Sequence, residues 1–383
     1  MDKIGVLSIY HNNHNFGGML QAYALCEFLN VCGYNAEQIC VDFTYDDYWM
    51  EQIRKHNGWK KIRAILSFIK HQAEHRIKKI KSIPISKDLE QRNQKFCEFE
   101  ESIPHSSEIY TIHNIGKTND IYDLFVCGSD VIWNCGMPAV VAALGFSSKK
   151  KIAYAPSVGT AELPDWWVSE YLSYVKQFDR VSMREESACR QLEEVIDKPV
   201  FCAADPTFLL MRNQWESLVS DVDSCIEREC FCYLLGNNIS QREGIKNIAK
   251  ELNLTLVTEP FSTEQVYQKC DYHFGDIQDF MSGPKEFLAH IKNADIIFTD
   301  SFHACVFAII FNKEFYAVPR LNGKNGALSG RIKNLLSSFG LEDKYIENLS
   351  EFKRLTCDYN RINNKLEEMQ HKSADFLLEG ILE

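Results

Sequence analysis

The sequence predicts an α/β fold of two domains, each built on a parallel sheet, facing one another across a cleft. Three observations lead there. The chain has 383 residues, about two and a half times the roughly 150 residues that one domain takes. Short apolar runs closed by turn signals alternate with longer helical patterns, as expected of parallel strands joined through helices. The alternation then starts afresh after the D-P-T of Asp205 to Thr207. This places an N-terminal domain over residues 1–215 with a basic helical insertion at about 50–90, a C-terminal domain over 216–345 and a helical tail over 346–383.

The elements follow in order. A strand at Lys3 to Tyr10 leads into the polar loop H-N-N-H-N-F-G-G, then a helix from about Met19 to Val31 and a strand near Asn35 to Val41. Gly33 stands where a helix C-terminal glycine belongs. Further strands are expected at Leu124 to Cys127, Lys151 to Tyr154, Arg180 to Met183 and Val200 to Cys202. The second series has strands near Cys230 to Leu235, Leu254 to Thr258, Ile296 to Thr299 and Glu314 to Val318, with helices at Gln241 to Leu252 and Pro284 to Asn293. Facing α/β domains put their cleft at the carboxyl ends of the strands.

Composition excludes several classes. At 45% hydrophobic and 25% charged the chain is globular, not disordered or collagen-like. A net charge of -11 gives no global field for polyanions and argues against nucleic acid. The 14 cysteines contain no C-x-x-C, and the spacing of Cys225, Cys230 and Cys232 fits neither zinc nor an iron-sulfur cluster, so reduced thiols and no metal are expected. The run Ile4 to Tyr10 reads as a first strand rather than a signal peptide. The run Cys305 to Phe311 falls far short of the roughly 20 residues of a membrane span. A cytoplasmic location is expected.

One segment departs in charge. Residues 54–87 hold eleven Lys or Arg against the single acid Glu74, so this arm carries about +10 and the remainder about -21. Trp59, Ile62, Leu66 and Ile69 recur with helical spacing among these cations. Such a pattern suits a helix lying on an anionic membrane at the inner face of the cytoplasmic membrane. A solvated helical hairpin packed on the domain is the plainer reading.

Five segments put polar residues at the ends of apolar strands. Asn15, Gly17 and Gly18 precede a helix, where free N–H groups and close backbone approach suit an anion. Ser129, Asp130, Trp133 and Asn134 follow L-F-V-C-G; Ser157 and Gly159 follow K-I-A-Y-A-P; Arg184 follows R-V-S-M. Asp300, Ser301 and His303 interrupt two fully apolar runs, where an unpartnered polar group would cost about 1–3 kcal/mol. Structural readings stand beside these: a helix cap for Asp130, a surface salt bridge for Arg184, packing for His303. His11 and His14 read as surface histidines.

Taken in order, N-F-G-G-M-L-Q-A-Y-A-L, G-S-D-V-I-W-N, I-A-Y-A-P-S-V-G, S-M-R-E-E-S, D-P-T-F-L-L and T-D-S-F-H resemble the polysaccharide pyruvyl transferase family, over residues 4 to about 335. The resemblance implies two Rossmann-like domains in a GT-B-like arrangement. It also implies phosphoenolpyruvate as donor and transfer of its pyruvate onto a sugar as a ketal, in capsule or exopolysaccharide synthesis. The family's basic and imidazole groups at the donor map onto Arg184 and His303. Where some members have S-R-L-H-G this chain has D-S-F-H-A; Arg331 is the candidate to supply the missing guanidinium, with Arg320 and Lys324 behind it. The chemistry asks for a general acid at the donor's C3, assigned to Asp130. His303 then deprotonates the acceptor hydroxyl or pairs with the departing phosphate, and the two roles are exchangeable. No cofactor is implied beyond phosphoenolpyruvate as co-substrate. The acceptor expected is a sugar on a polyprenyl diphosphate, which a membrane-bound arm would suit. Two other readings share the cleft: a GT-B glycosyltransferase using a nucleotide sugar, and a non-catalytic glycan- or anion-binding protein.

Overall fold

A computed structural model of the chain describes residues 2–42, 50, 53–54, 57–81, 87–134, 136–160, 162–222, 226–263, 266–320 and 327–383. Its strands are β1 Lys3–Leu7, β2 Asn35–Gln38, β3 Val41–Asp42, β4 Tyr110–Thr111, β5 Leu124–Cys127, β6 Lys150–Ala153, β7 Arg180–Met183, β8 Val200–Cys202, β9 Glu229–Tyr233, β10 Thr255–Thr258, β11 Ser262–Thr263, β12 Val266–Tyr267, β13 Ile277–Gln278, β14 Ile296–Thr299 and β15 Phe315–Ala317. Six of them form one sheet in the order β2-β1-β5-β6-β7-β8, and five form another in the order β13-β10-β9-β14-β15. Every pairing in both sheets is parallel. Helices cover both faces of such sheets, which explains why β5 and β14 read as uninterrupted apolar runs and are buried throughout.

The strand orders fix where ligands can sit. In the first sheet the chain leaves β1 for β2 and later returns to β1's other side as β5; in the second, β9 is followed by β10 on one side and β14 on the other. Each reversal opens a crevice beyond the carboxyl ends of the strands that flank it. The loops after β1, β5, β6, β7, β8 and β14 therefore gather the polar motifs of the sequence.

The two halves share one core. Met19, Leu20 and Ala22, from helix Phe16–Val31, cluster with Ala304, Val306 and Phe307 of helix Phe302–Ile310. Phe16 stacks on Phe287 at 4.4 Å and meets Tyr233 edge-on at 5.6 Å. Such aromatic pairs contribute about 0.5–1.5 kcal/mol beyond their buried area, so the cleft walls are held in register by apolar contact. The tail helix Tyr359–Leu382 returns to the first sheet, with Leu377 and Ile381 buried against Ile4, Val126 and Ile152.

Two expectations change here. Helix Phe16–Val31 begins three residues earlier than the glycines suggested, because the Asn15 side chain accepts a hydrogen bond from Gly18 N and caps it. The basic arm is not a hairpin over its described part: Gly58–Lys81 is one helix of 24 residues. Among the described residues no helix is long and apolar enough to cross a membrane. Cys230 and Cys232 are buried free thiols. Cys225 and Lys324 lie outside the described residues.

Candidate functional site

At the end of β5, Gly128 has φ 143° and a side chain there would stand 1.9 Å from the Tyr154 carbonyl oxygen, so the turn into Ser129 and Asp130 admits only glycine. At the ends of β7 and β8, Met183 pairs with Cys202, which sets the following segments side by side. Arg184 and Asp205 emerge from them and bond, Nη1 to Oδ2, at 2.6 Å. Across the cleft, Ser301 caps helix Phe302–Ile310, and His303 in its first turn brings Nε2 to 3.5 Å from the same Asp205 oxygen. Gly17 makes room for this imidazole: a methyl group at Gly17 would sit 2.0 Å from His303 Nδ1.

A second carboxylate completes the cluster. Asp130 Oδ1 lies 3.5 Å from Arg184 Nη2 and 4.0 Å from Arg331 Nη1, and both guanidinium groups face the Phe302 ring, at 4.6 and 6.0 Å. The arginines, Asp205 and Phe302 line a cavity of about 150 Å³. Its charges are strongly biased. Burial opposes ionisation of Asp205, but His303, Arg184 and the Thr207 N–H outweigh it and hold the carboxyl well below the usual range. Burial, aided by repulsion from Arg184, lowers Arg331 to about 10.

The hydrogen bonds of the cluster are conspicuously incomplete on the donor side. Arg184 Nε and Nη2, Arg331 Nε and His303 Nε2 are buried without a hydrogen-bond partner. Each such group costs about 1–3 kcal/mol if left dry. Three of them belong to the two arginines that line the cavity, and a guanidinium fork matches carboxylate and phosphate alike.

Of the residues expected at the site, Arg184, His303, Asp130 and Arg331 converge. Arg184 is not a surface ion pair; its side chain is only 5% exposed. Asp130, with φ 51°, is no helix cap. The others make hydrogen bonds within the protein. Ser129 is fully buried, its N–H donating to Gln21 and its hydroxyl to the Ala155 carbonyl. Ser157 donates to Glu185 and accepts from Gly159 N. Asp300 accepts from Leu235 N and Gly236 N at 2.6 and 2.7 Å and is wholly buried. Ser301 and Asn15 serve as helix caps, Gly18 N is taken by Asn15, and Asn134 donates to the Val158 carbonyl. Arg320 Nη2 bonds the Asp300 carbonyl. His14 is exposed, whereas His11 is half-buried on Glu100 at 2.5 Å.

Sequence reasoning missed Asp205, Gln21 and Phe302. Asp205 carried the same signal as the others, a polar residue just beyond a strand. Gln21 stood out only as an amide in an apolar helix, and Phe302 gave no signal.

Comparison with known proteins adds to this geometry. No curated protein matches the sequence. Among solved structures, UDP-GlcNAc 2-epimerase from Neisseria meningitidis is similar at TM-score 0.49 and 9% identity, covering 100% of both chains. UDP-GlcNAc 2-epimerase from Methanocaldococcus jannaschii is similar at TM-score 0.47 and 12% identity, over 96% of this chain and 92% of that one. E. coli ADP-heptose lps heptosyltransferase II reaches TM-score 0.35 at 11% identity, over 97% and 99%. The family model for polysaccharide pyruvyl transferase matches residues 15–322, a span that carries Arg184, Asp205, Asp130 and His303, and the chain belongs to that family.

Proposed function

We propose that the protein transfers pyruvate from phosphoenolpyruvate onto a sugar of a polysaccharide or lipid-linked oligosaccharide precursor, forming a pyruvate ketal. The observation that carries this reading is that Arg184 and Arg331, each with buried N–H donors lacking a hydrogen bond, line one cavity beside Phe302, in a chain of this family. Phosphoenolpyruvate presents a carboxylate and a phosphate on one small carbon frame, and two guanidinium groups beside a common ring suit that pair of anions.

The reaction needs a proton delivered to C3 of the donor, which leaves an oxocarbenium-like C2 for a sugar hydroxyl. The C–O bond to phosphate then breaks, and a second hydroxyl closes the ketal. Two protons leave the diol; one replaces that given to C3 and one goes with phosphate. The geometry favours an exchange of the two roles first assigned. Asp130 faces two guanidinium groups, at 3.5 and 4.0 Å, and serves as their counter-ion and as acceptor of the hydroxyl proton. His303, set by Asp205 on one side and Gly17 on the other, delivers the proton. Asp205 positions His303 and Arg184.

Incubation with phosphoenolpyruvate and a panel of water-soluble sugars or short glycans tests this, reading phosphate release and product mass. The expected result is phosphate together with an acceptor gaining one pyruvate less one water. Release of a nucleoside diphosphate from a nucleotide sugar, with phosphoenolpyruvate untouched, would overturn it.

A further inference from the structure

We propose that helix Gly58–Lys81 is a docking surface for an anionic lipid membrane. Trp59, Ile62, Leu66 and Ile69 are 84%, 48%, 61% and 57% exposed on it. Isolated apolar side chains on a surface need no explanation, but a contiguous apolar stripe marks a contact. The same turns present Lys60, Lys61, Arg63 and Lys70, all exposed, and no acid occurs between Arg54 and Lys70. The helix is held from its other side, where Ala64 is buried and Ile65, Ser67 and Phe68 are half-buried. The stripe is therefore the outer face of a seated helix.

Charge selects the occupant. A second copy of the chain would set cation against cation along the stripe. An anionic bilayer offers negative headgroups above an apolar interior, the same two layers that Lys and Trp or Leu present here. The rest of the chain, at about -21, is repelled by that surface. Arm and body together fix one orientation, with this helix toward the lipid.

Helix Lys87–Ser102 follows the arm, and its Arg92 and Lys95 ion-pair with Glu259 and Glu286 of the second half at 3.4 and 2.7 Å. Its Phe96 packs on Phe16 and His14, in the segment that leads to Gly17. The membrane contact itself assumes nothing about catalysis.

Co-sedimentation with phosphatidylcholine vesicles, with and without one third phosphatidylglycerol, tests the proposal in the absence of donor or acceptor. The full chain is expected to bind only the anionic vesicles, to be released by high salt, and to show a blue shift of tryptophan fluorescence that Trp59→Phe removes. Lys60→Gln, Lys61→Gln and Arg63→Gln together should weaken binding about a hundredfold, at roughly fivefold per near-surface cation. Trp59→Ala with Leu66→Ala should weaken it as well. Both variants should keep phosphate release on a water-soluble acceptor, which separates failure of docking from failure of the proposed reaction. Equal binding to neutral vesicles, unchanged binding of the charge variant, or a dimer in solution that the Trp59→Ala and Leu66→Ala variant dissolves would each overturn the assignment.

Discussion

Two buried charge clusters of this protein end their hydrogen bonds differently. In the second half, Arg242 spends its donors on Asp271, the Asn238 carbonyl and the Gly236 carbonyl, at 2.6 to 3.1 Å. Nearby His290 bonds Glu229 at 2.7 Å and Asp279 at 3.2 Å. What is left over there is an acceptor, Glu229 Oε2 or Asp271 Oδ2. In the cluster of Arg184, Arg331 and His303 the remainder includes three guanidinium N–H groups of the arginines that line the cavity, beside one acceptor, Glu185 Oε2. A network whose arginine has spent its donors is closed, whereas leftover guanidinium donors beside a cavity are what an anionic substrate would complete. Both clusters are buried and charged; leftover guanidinium donors beside a cavity distinguish the one proposed to bind substrate.

The sharpest test of that distinction is to remove a donor on each side. His303→Gln should lower kcat on the order of 10³-fold, as expected for loss of a proton-transfer group, while the melting temperature moves by a few degrees. Arg184→Lys should cost a similar factor and raise KM for phosphoenolpyruvate, since an ammonium cannot reproduce the fork. Arg184→Ala is a poorer probe than the isolated motif suggested, because it strands the buried Asp205 and would destabilise by about 3–5 kcal/mol. Normal phosphate release from a folded His303→Gln enzyme would sink the assignment.

Asp205→Asn should give a smaller loss, on the order of 10²-fold in kcat with KM little changed, for a group that acts through His303. The split between parameters separates positioning from simple structural support: a loss confined to kcat at an unchanged melting temperature marks positioning, and a purely structural loss would lower the melting temperature instead.

Gly17→Ala tests the apposition of the two halves. Alanine favours a helix over glycine by about 0.5–1 kcal/mol, so on helix grounds alone the variant should be at least as stable. Its methyl would, however, stand 2.0 Å from His303 Nδ1. We expect kcat/KM to fall about 10- to 100-fold, the scale of a misplacement near 1 Å, with the melting temperature nearly unchanged. Full activity would show that His303 has freedom that the packing denies it.

Much of this arrangement was legible because polar residues interrupt apolar strands at only a few places. The ends of β1, β5, β7 and β14 announced Gly17, Asp130, Arg184 and His303. What the pattern could not tell was which polar groups face a ligand and which close a turn. Ser129, Ser157 and Asp300 have the same signature as Asp130, yet each is consumed by neighbouring backbone or side chains. Asp205 read as a boundary between two series of strands because its partnership with Arg184 depends on the β7–β8 register, a contact that spacing along the chain does not encode. The start of helix Phe16–Val31 is hard to read for a related reason: two glycines argue against a helix on propensity, and the cap that Asn15 places on Gly18 N overrides it.

The smallest effect on activity should come from the opposite cluster. Burial disfavours the His290 imidazolium, but Asp279 and Glu229 outweigh it and raise the group to about 10. A histidine raised above its unfolded value of about 6.5 contributes stability that is complete below that value and disappears as pH rises through the folded pKa. The melting temperature should therefore decline between about pH 6.5 and 10, and His290→Gln should flatten that decline while lowering stability at neutral pH by about 3 kcal/mol, as breaking a buried pair does. Phosphate release from the folded variant should stay within about twofold of the parent, because no donor of this network reaches the cavity lined by Arg184 and Arg331. A large loss of turnover in folded His290→Gln would mean that the two clusters are coupled, and the rule separating spent from leftover guanidinium donors would fail in this protein.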